Sequence, residues 1–318
     1  MRAIVMRRTG GPEVLRLEDV PVPVPAAGEV LVKTEAIGAS YPETLLRSGA
    51  FPVPGGLPAV AGIEAAGTVA AVGDGVDAGM IGRRVVLMDT CGGAYAEFCA
   101  SPLSAITEIP DGLSAVDAVA VGGMAATALA VLQDAELAGG ETVLIESAAG
   151  QVGGYLAQLA RRAGAGRIIG TAGSPAKLEL ALERGFDEVV NHREEGWQEK
   201  LPRGIDVVFE SIGGDSAGRL LDAMTAGTGR MMSYGLLSGD WARIEAFELD
   251  ARGLRLVDCA RRDGWLQRVE AARTTVLDLA VRGELRPLID SHLPLAEAAT
   301  AHRRFEDRLA AGKIILTP

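Results

Sequence analysis

A chain of 318 residues, 48% hydrophobic and 23% charged, has room for about two domains and is too apolar for a disordered protein. Its 42 acidic against 31 basic residues leave −11 at pH 7, which argues against a nucleic-acid binder and against a polybasic membrane patch. Forty-one glycines and only 4% aromatics suit a nucleotide-binding α/β protein better than an all-β sandwich.

The first residues, Met1–Arg8, lack the apolar core of a secretory leader. No uninterrupted apolar run approaches the ~20 residues that span a bilayer, so no membrane partner is expected. Arg2–Met6 reads as a first strand, and Glu29–Ala36 alternates apolar and polar like a half-buried strand. Pro21, Pro23 and Pro25 form an extended connection between them. Pro52, Pro54, Gly55, Gly56 and Pro58 make a rigid loop. Gly67–Val72 and Arg84–Met88 are further short strands between glycine-rich turns. Residues 1–121 therefore predict a β-rich, partly barrel-shaped domain.

The texture changes near Gly122. Thr127–Leu137 is an Ala/Leu helix, and strands and helices then alternate. Thr142–Glu146, Arg167–Thr171, Glu188–Asn191, Asp206–Ser211 and Gly229–Ser233 read as strands, with Leu254–Ala260 as a sixth. Gln151–Ala163 and Pro175–Arg184 read as helices, the second with proline at its start, where the missing N–H costs nothing. This alternation predicts an α/β fold with a doubly wound parallel sheet over residues 122–261. Residues 262–318 hold two amphipathic helices, and Lys313–Leu316 is expected to return as a strand to the first domain.

The most informative stretch runs from Leu144 to Gly154. A strand enters a glycine turn and a helix opens, in the pattern Ala148-x-Gly150-x-x-Gly153. Gly150 lets the backbone approach a pyrophosphate and Gly153 lets the helix pack closely on the strand. The N–H groups at Gln151 and Val152 stand at the helix N-terminus, where the dipole favours an anion. A glycine turn that binds no nucleotide is the alternative. If NAD ribose hydroxyls were read, the second strand would end in Asp or Glu. Here it ends Gly170-Thr171-Ala172-Gly173-Ser174-Pro175-Ala176-Lys177, with no acid. Ser174 and Lys177, with His192 and Arg193 after the third strand, suit a 2′-phosphate. The expected cofactor is therefore NADPH, with Gly173 at the close approach. The competing reading makes Lys177 a solvated helix residue and Ser174 the cap of the helix that begins at Pro175.

Zinc needs clustered cysteine and histidine. Cys91 and Cys99 are separated by seven residues, and His192, His292 and His302 have no H-x-x-H spacing. No metal is expected. Three widely spaced cysteines, Cys91, Cys99 and Cys259, give no disulfide framework and fit a reducing cytoplasm. A Gly-x-Ser-x-Gly hydrolase elbow is absent.

Taken with this layout, several motifs resemble the medium-chain dehydrogenase/reductase superfamily, in its zinc-independent quinone oxidoreductase (zeta-crystallin-like) branch. They are Gly10-Gly11-Pro12-Glu13-Val14-Leu15, Ala36-Ile37-Gly38-Ala39-Ser40-Tyr41-Pro42-Glu43-Thr44, Arg47-Ser48-Gly49 and Gly62-Ile63-Glu64-Ala65-Ala66-Gly67. Gly92-Gly93-Ala94-Tyr95-Ala96-Glu97, Ser147–Gly153, Asn191-His192-Arg193-Glu194-Glu195 and Ser233-Tyr234-Gly235 complete the set. The resemblance implies a GroES-like first domain joined to a Rossmann domain. Zinc-dependent cousins carry Cys at the position of Ser40 and Gly-His-Glu in place of Gly62-Ile63-Glu64, and the four-cysteine lobe is absent. It also implies that Thr127 approaches the nicotinamide, that Tyr234 and Gly235 flank the cofactor, and that Arg308 contacts it. A helix N-cap is the plainer role for Thr127.

The chain departs from the branch at Ser40, where Asn is common, at Leu45, where Tyr is common, and at His192, which replaces a usual Tyr. Gly82-Arg83-Arg84-Val85 stands for the common Gly-Asp-Arg-Val. Phe51 sits where enoyl-thioester reductases often carry a proton-donor tyrosine. The expected activity is NADPH-dependent hydride transfer to a quinone or similar enone. Ser40 and Tyr41 are the nearest hydroxyls for polarising its carbonyl, though Tyr41 also reads as a core aromatic. The alternatives are an enoyl or alkenal reductase of a biosynthetic pathway and a non-catalytic, crystallin-like NADPH-binding protein. Leu254–Cys259, an apolar strand at the sheet's end, predicts a homodimer.

Overall fold

The computed structural model describes residues 1–88 and 92–318. The chain divides into two compact units, Met1–Gly123 with Arg273–Pro318, and Met124–Ala272.

In the first unit, Glu29–Ala39 is the hub of the larger sheet. It pairs antiparallel with Glu64–Val72, Phe98–Pro102 and the C-terminal strand Lys313–Thr317. Its N-terminal half lets Lys33 and Glu35 reach solvent. Residues 36–39 are all buried, because the returning strand and the helix Ala115–Gly122 cover them. Ile4, Val30, Val32, Ile37, Val69, Val85, Leu87, Tyr95, Ile314 and Leu316 share one core. Each such aliphatic side chain contributes roughly 1.5–3 kcal/mol by leaving water. The last strand is thus a working part of a sheet begun near the N-terminus. A smaller sheet joins Arg2–Met6 to Leu15–Asp19 and Ala59–Val60.

The second unit is a six-stranded, wholly parallel sheet. In spatial order its strands are Glu188–Asn191, Arg167–Ala172, Thr142–Ile145, Val207–Glu210, Arg230–Ser233 and Arg255–Asp258. The strand that comes first in sequence lies between the second and the fourth, so the winding reverses there. Ligands of doubly wound sheets bind in the crevice beyond the carboxyl ends at such a point. The strands are apolar runs because helices cover both faces.

The segment Ala115–Ala135 passes for a membrane span by length and composition, although Asp117, Gln133 and Asp134 interrupt its apolar run, and 78% of its 18-residue apolar window is buried inside the protein. It is two successive helices, Ala115–Gly122 and Met124–Ala135, whose small side chains fill the core. Because the second begins at Met124, Thr127 lies within its first turn and is not an N-cap.

Candidate active site

The dinucleotide loop is built by the residues its pattern singled out. After Ile145 the chain turns through Ser147, a non-glycine residue at φ 53°, and Gly150 caps the helix Gln151–Arg162. A Cβ at Gly153 would stand 2.5 Å from the Ser147 carbonyl oxygen, and one at Gly150 would stand 3.0 Å from it. Backbone against backbone cannot yield at Gly153, so glycine there sets how closely helix and loop approach. Gly150 as N-cap makes no side-chain cap bond, and the backbone at Gln151, Val152 and Gly153 stands at the positive end of the dipole.

The second and third strands bring the remaining predicted groups together. Their ends are in register, with Ala172 opposite Asn191, and the His192 N–H donates to the Ala172 carbonyl at 3.1 Å. A Cβ at Gly173 would lie 2.8 Å from His192 Nε2 and 3.1 Å from Arg193 Nε, so both side chains fold over that glycine. The Ser174 hydroxyl oxygen accepts the Lys177 N–H at 3.4 Å, a long bond that caps the helix Pro175–Glu183. Accepting leaves the hydroxyl proton available to donate elsewhere. Lys177 is half-buried one turn in. Among the described residues no carboxylate ends the second strand; at the end of the third, Glu194 accepts the Asn191 side-chain amide at 3.2 Å and pairs with Lys200, and Gly173, Ser174, Lys177, His192 and Arg193 supply donors and positive charge around them. The described side chains therefore fit a nucleotide with a 2′-phosphate.

Tyr234 and Gly235 follow the fifth strand in the same unit. The Tyr234 N–H donates to the Glu210 carbonyl at 3.0 Å, and burial raises its phenol's pKa. A Cβ at Gly235 would come within 2.6 Å of the Ser211 carbonyl oxygen. Thr127 is half-buried in the helix that opens this unit. Ser40, Tyr41 and Arg308 belong to the other unit. Arg308 lies just past the helix Ala298–Glu306, in left-handed backbone at φ 56°.

Ser40 is fully buried. It precedes the helix Tyr41–Ser48, and both its N–H, at 2.6 Å, and its hydroxyl, at 3.1 Å, donate to Glu43 Oε2. Tyr41 packs half-buried against the core, as its reading as a core aromatic required. Sequence reasoning missed what surrounds Ser40. Glu43 also receives the Ile63 N–H at 2.9 Å and the Tyr95 hydroxyl at 3.0 Å. That hydroxyl has spent its proton, so His302 Nε2, 3.2 Å away, donates to the phenol oxygen. Burial, with the Arg47 charge second, pushes His302 down to about 3, so its ring is neutral. Burial, then the charge of Glu64, pushes Glu43 up to about 7, although four donors favour its ionised form. Beside it Lys313 and Glu64 form an ion pair of 2.6 Å, and both are buried. The clue was an acid and a lysine inside otherwise apolar strands.

A second missed pair lies in the dinucleotide unit. Glu146 and Glu210 end the runs Thr142-Val143-Leu144-Ile145 and Val207-Val208-Phe209, and both are buried. An acid directly after a fully apolar parallel strand was the available signal.

Among the described residues no group of three or more His, Cys, Asp or Glu side chains is placed to hold a metal ion. Cys99 and Cys259 are buried and form no disulfide among the described residues, while Cys91 lies outside them.

Comparison with known proteins places this arrangement. Residues 26–134 match the model of the alcohol dehydrogenase GroES-like domain, and residues 184–316 match that of the zinc-binding dehydrogenase. The quinone oxidoreductase of Pseudomonas aeruginosa is 34% identical over 318 residues, covering 97% of each chain. This chain belongs to the quinone oxidoreductase family of the medium-chain dehydrogenases/reductases. Among solved structures of its relatives, Escherichia coli quinone oxidoreductase complexed with NADPH superposes with a TM-score of 0.90 at 31% identity, covering 100% of both chains. A 2-haloacrylate reductase superposes with a TM-score of 0.84 at 29% identity, covering 100% of this chain and 99% of the other. Family membership makes this chain an oxidoreductase with a GroES-like and a Rossmann-like part.

Proposed function

We propose that the chain is an NADPH-dependent, zinc-independent reductase that delivers hydride to a quinone or a similar conjugated carbonyl. The observation that carries this reading is the group at the ends of the second and third strands. His192 and Arg193 lie over Gly173 there, Ser174 caps the helix that carries Lys177, and among the described residues the second strand ends without a carboxylate. In this reading Gly150, Gln151, Val152 and Gly153 hold the pyrophosphate, and Ser174, Lys177 and His192 take the 2′-phosphate beside Gly173. Thr127, Tyr234 and Gly235 line the rest of the cofactor. When bound, NADPH supplies the hydride; the protein orients it and keeps water away. A quinone needs little acid catalysis, because the hydroquinone anion is already a stabilised product. The fit of family relatives to NADPH complexes supports the cofactor.

A second reading is favoured by the bond from Ser40 to Glu43. Reduction of an activated alkene, as the name of the 2-haloacrylate reductase describes for that protein, must end with a proton on carbon. When Glu43 is protonated, the Ser40 hydroxyl would give its proton to the substrate carbon and take the Glu43 proton in return across their 3.1 Å contact, leaving Glu43 ionised.

The experiment is NADPH oxidation against benzoquinone, naphthoquinone, an enal and an enoyl thioester. Turnover confined to quinones supports the first reading, and turnover confined to the enal or thioester supports the second. NADPH binding without turnover on any of them would make the chain a non-catalytic binder. We also propose a cytoplasmic homodimer. Arg255–Asp258 is the outermost strand of the parallel sheet, with one neighbour and an edge left to pair. A monomeric mass in light scattering at micromolar concentration would count against the dimer.

A further inference from the structure

We propose that Glu146 and Glu210 share one proton and act as a positioning pair for the dinucleotide loop, so that cofactor affinity depends on that proton being held. The proposal rests on the reading that this loop binds NADPH.

Their placement follows from register. Ile145 and Phe209 are partners on adjacent parallel strands, so the next residues, Glu146 and Glu210, leave the sheet abreast. This is the point where the winding reverses. Both side chains are buried, and the N–H of Ser211, the residue after Glu210, donates to Glu146 Oε2 at 3.1 Å, which sets the two carboxyl groups side by side. Two buried carboxyls so placed without a cation avoid like charges by holding a proton between them.

The remaining oxygens hold the loops in place. Glu146 Oε2 accepts the N–H groups of Ser211 and Ile212 at 3.1 and 3.3 Å. Glu210 Oε1 accepts the Gly213 N–H, and its Oε2 accepts the Ser233 hydroxyl at 2.8 Å. The Ser211 hydroxyl in turn donates to Ser147 Oγ at 3.2 Å. Ser147 is the left-handed residue whose carbonyl lies against Gly150 and Gly153. One connected set of hydrogen bonds therefore runs from the acid pair to the turn that opens the helix.

The charged surroundings do not neutralise the pair. The titratable groups facing it are Tyr234, after the fifth strand, and beyond that the Cys259 thiol, after the sixth. Asp258, next in the row beyond Ser233, is taken up by Arg261 at 3.1 Å. Arg262 and Arg268 pair with Asp134. On the other side the backbone N–H of Ala148 binds the carbonyl of Thr171, whose hydroxyl faces His192. Among the described residues no cation pairs with either acid. Burial, then the charge of Glu210, pushes Glu146 up to about 8, and burial raises Glu210 as well. Loss of the shared proton places two like charges in contact, breaks the carboxyl–carboxyl bond and loosens the Ser211–Ser147 link.

The test uses Glu146→Gln in the full chain. The amide donates to Glu210 as the protonated acid does, and its oxygen still accepts from Ser211 and Ile212. NADPH binding is measured by fluorescence titration from pH 7 to pH 9.5, where the 2′-phosphate is already ionised. Wild-type affinity is expected to fall about tenfold across this range, equivalent to ~1.4 kcal/mol, while the variant keeps one affinity throughout. Thermal melts of the unliganded proteins supply an independent arm. A raised acid weakens the fold as pH climbs from its unfolded to its folded pKa. The variant's melting temperature should therefore gain on wild type between about pH 4.5 and pH 8 and then hold a constant lead. Parallel pH dependence of NADPH binding in both proteins, or a lead that never changes with pH, would overturn the proposal. If neither protein binds NADPH at pH 7, the cofactor reading fails and the positioning role with it, and the melts still show whether the proton is shared.

Discussion

In the unit formed by Met1–Gly123 and Arg273–Pro318, the acid Glu64 is buried against the ammonium of Lys313, and Glu43 sits within reach of that same charge. In the unit Met124–Ala272, Glu146 and Glu210 have only each other and a ring of N–H and O–H donors. The pKa values follow from this difference. Burial raises both Glu43 and Glu146, but Lys313 pulls Glu43 back down whereas the charge of Glu210 pushes Glu146 further up. A cation near a buried carboxyl favours its charged form, and where none stands the proton is favoured. The first arrangement ties the titration of Glu43 to the stability of its unit. The second ties the shape of a loop to proton occupancy.

Four changes break or sharpen this contrast. The largest effect is expected from Lys313→Met. It leaves Glu64, 2% exposed, as a buried charge without its partner. Removing one member of such a pair costs roughly 3–5 kcal/mol, measurable by urea unfolding. Adding Glu64→Gln should restore much of the loss, and no recovery in the double variant would contradict the pairing argument.

Glu43→Gln tests the intermediate case. The folded-state pKa of Glu43 is raised from 4.5 to about 7, so the unfolded chain gives up its proton first as pH climbs. Wild-type stability should decline through that window by at most about 3 kcal/mol, and the variant should not show the decline. Unfolding free energies at pH 5, 6, 7 and 8 follow the difference, and parallel curves would remove Glu43 as the titrating group.

Lys177→Ala addresses the dinucleotide unit. One charge-assisted bond to a phosphate contributes roughly 1.5–3 kcal/mol. NADPH should bind roughly ten- to a hundredfold more weakly, and NADH nearly as before. Equal losses for both cofactors, or none for either, would reject a phosphate-clamp role and return Lys177 to a helix-surface residue.

The smallest effect is expected from EDTA. Turnover should be unchanged after prolonged dialysis. Loss of activity that added zinc restores would overturn the zinc-independent reading.

Local pattern carried much of the architecture. The strands and helices from Thr142 to Asp258 were legible because a parallel sheet covered on both faces must be written as short apolar runs separated by helices. The glycine spacing at Gly150 and Gly153 was legible for a related reason: the turn needs backbone to approach backbone, and no other residue allows it. The return of Lys313–Thr317 to the first unit was visible as an apolar run. That it pairs with Glu29–Ala39, and so delivers Lys313 to Glu64, depended on closure of the chain over more than two hundred residues.

What the tertiary structure alone decided were the charges. Apolar neighbours in the sequence hint that Glu64, Glu146 and Glu210 are buried, but the sequence does not say which partner each one meets or which form it holds. Ser40 looked like a hydroxyl ready for a substrate, and in the fold it is spent on Glu43. Hydrophobic periodicity is a short-range property and can be read along the chain. Protonation depends on desolvation and on which residue arrives within a few ångströms, and only the folded backbone sets both.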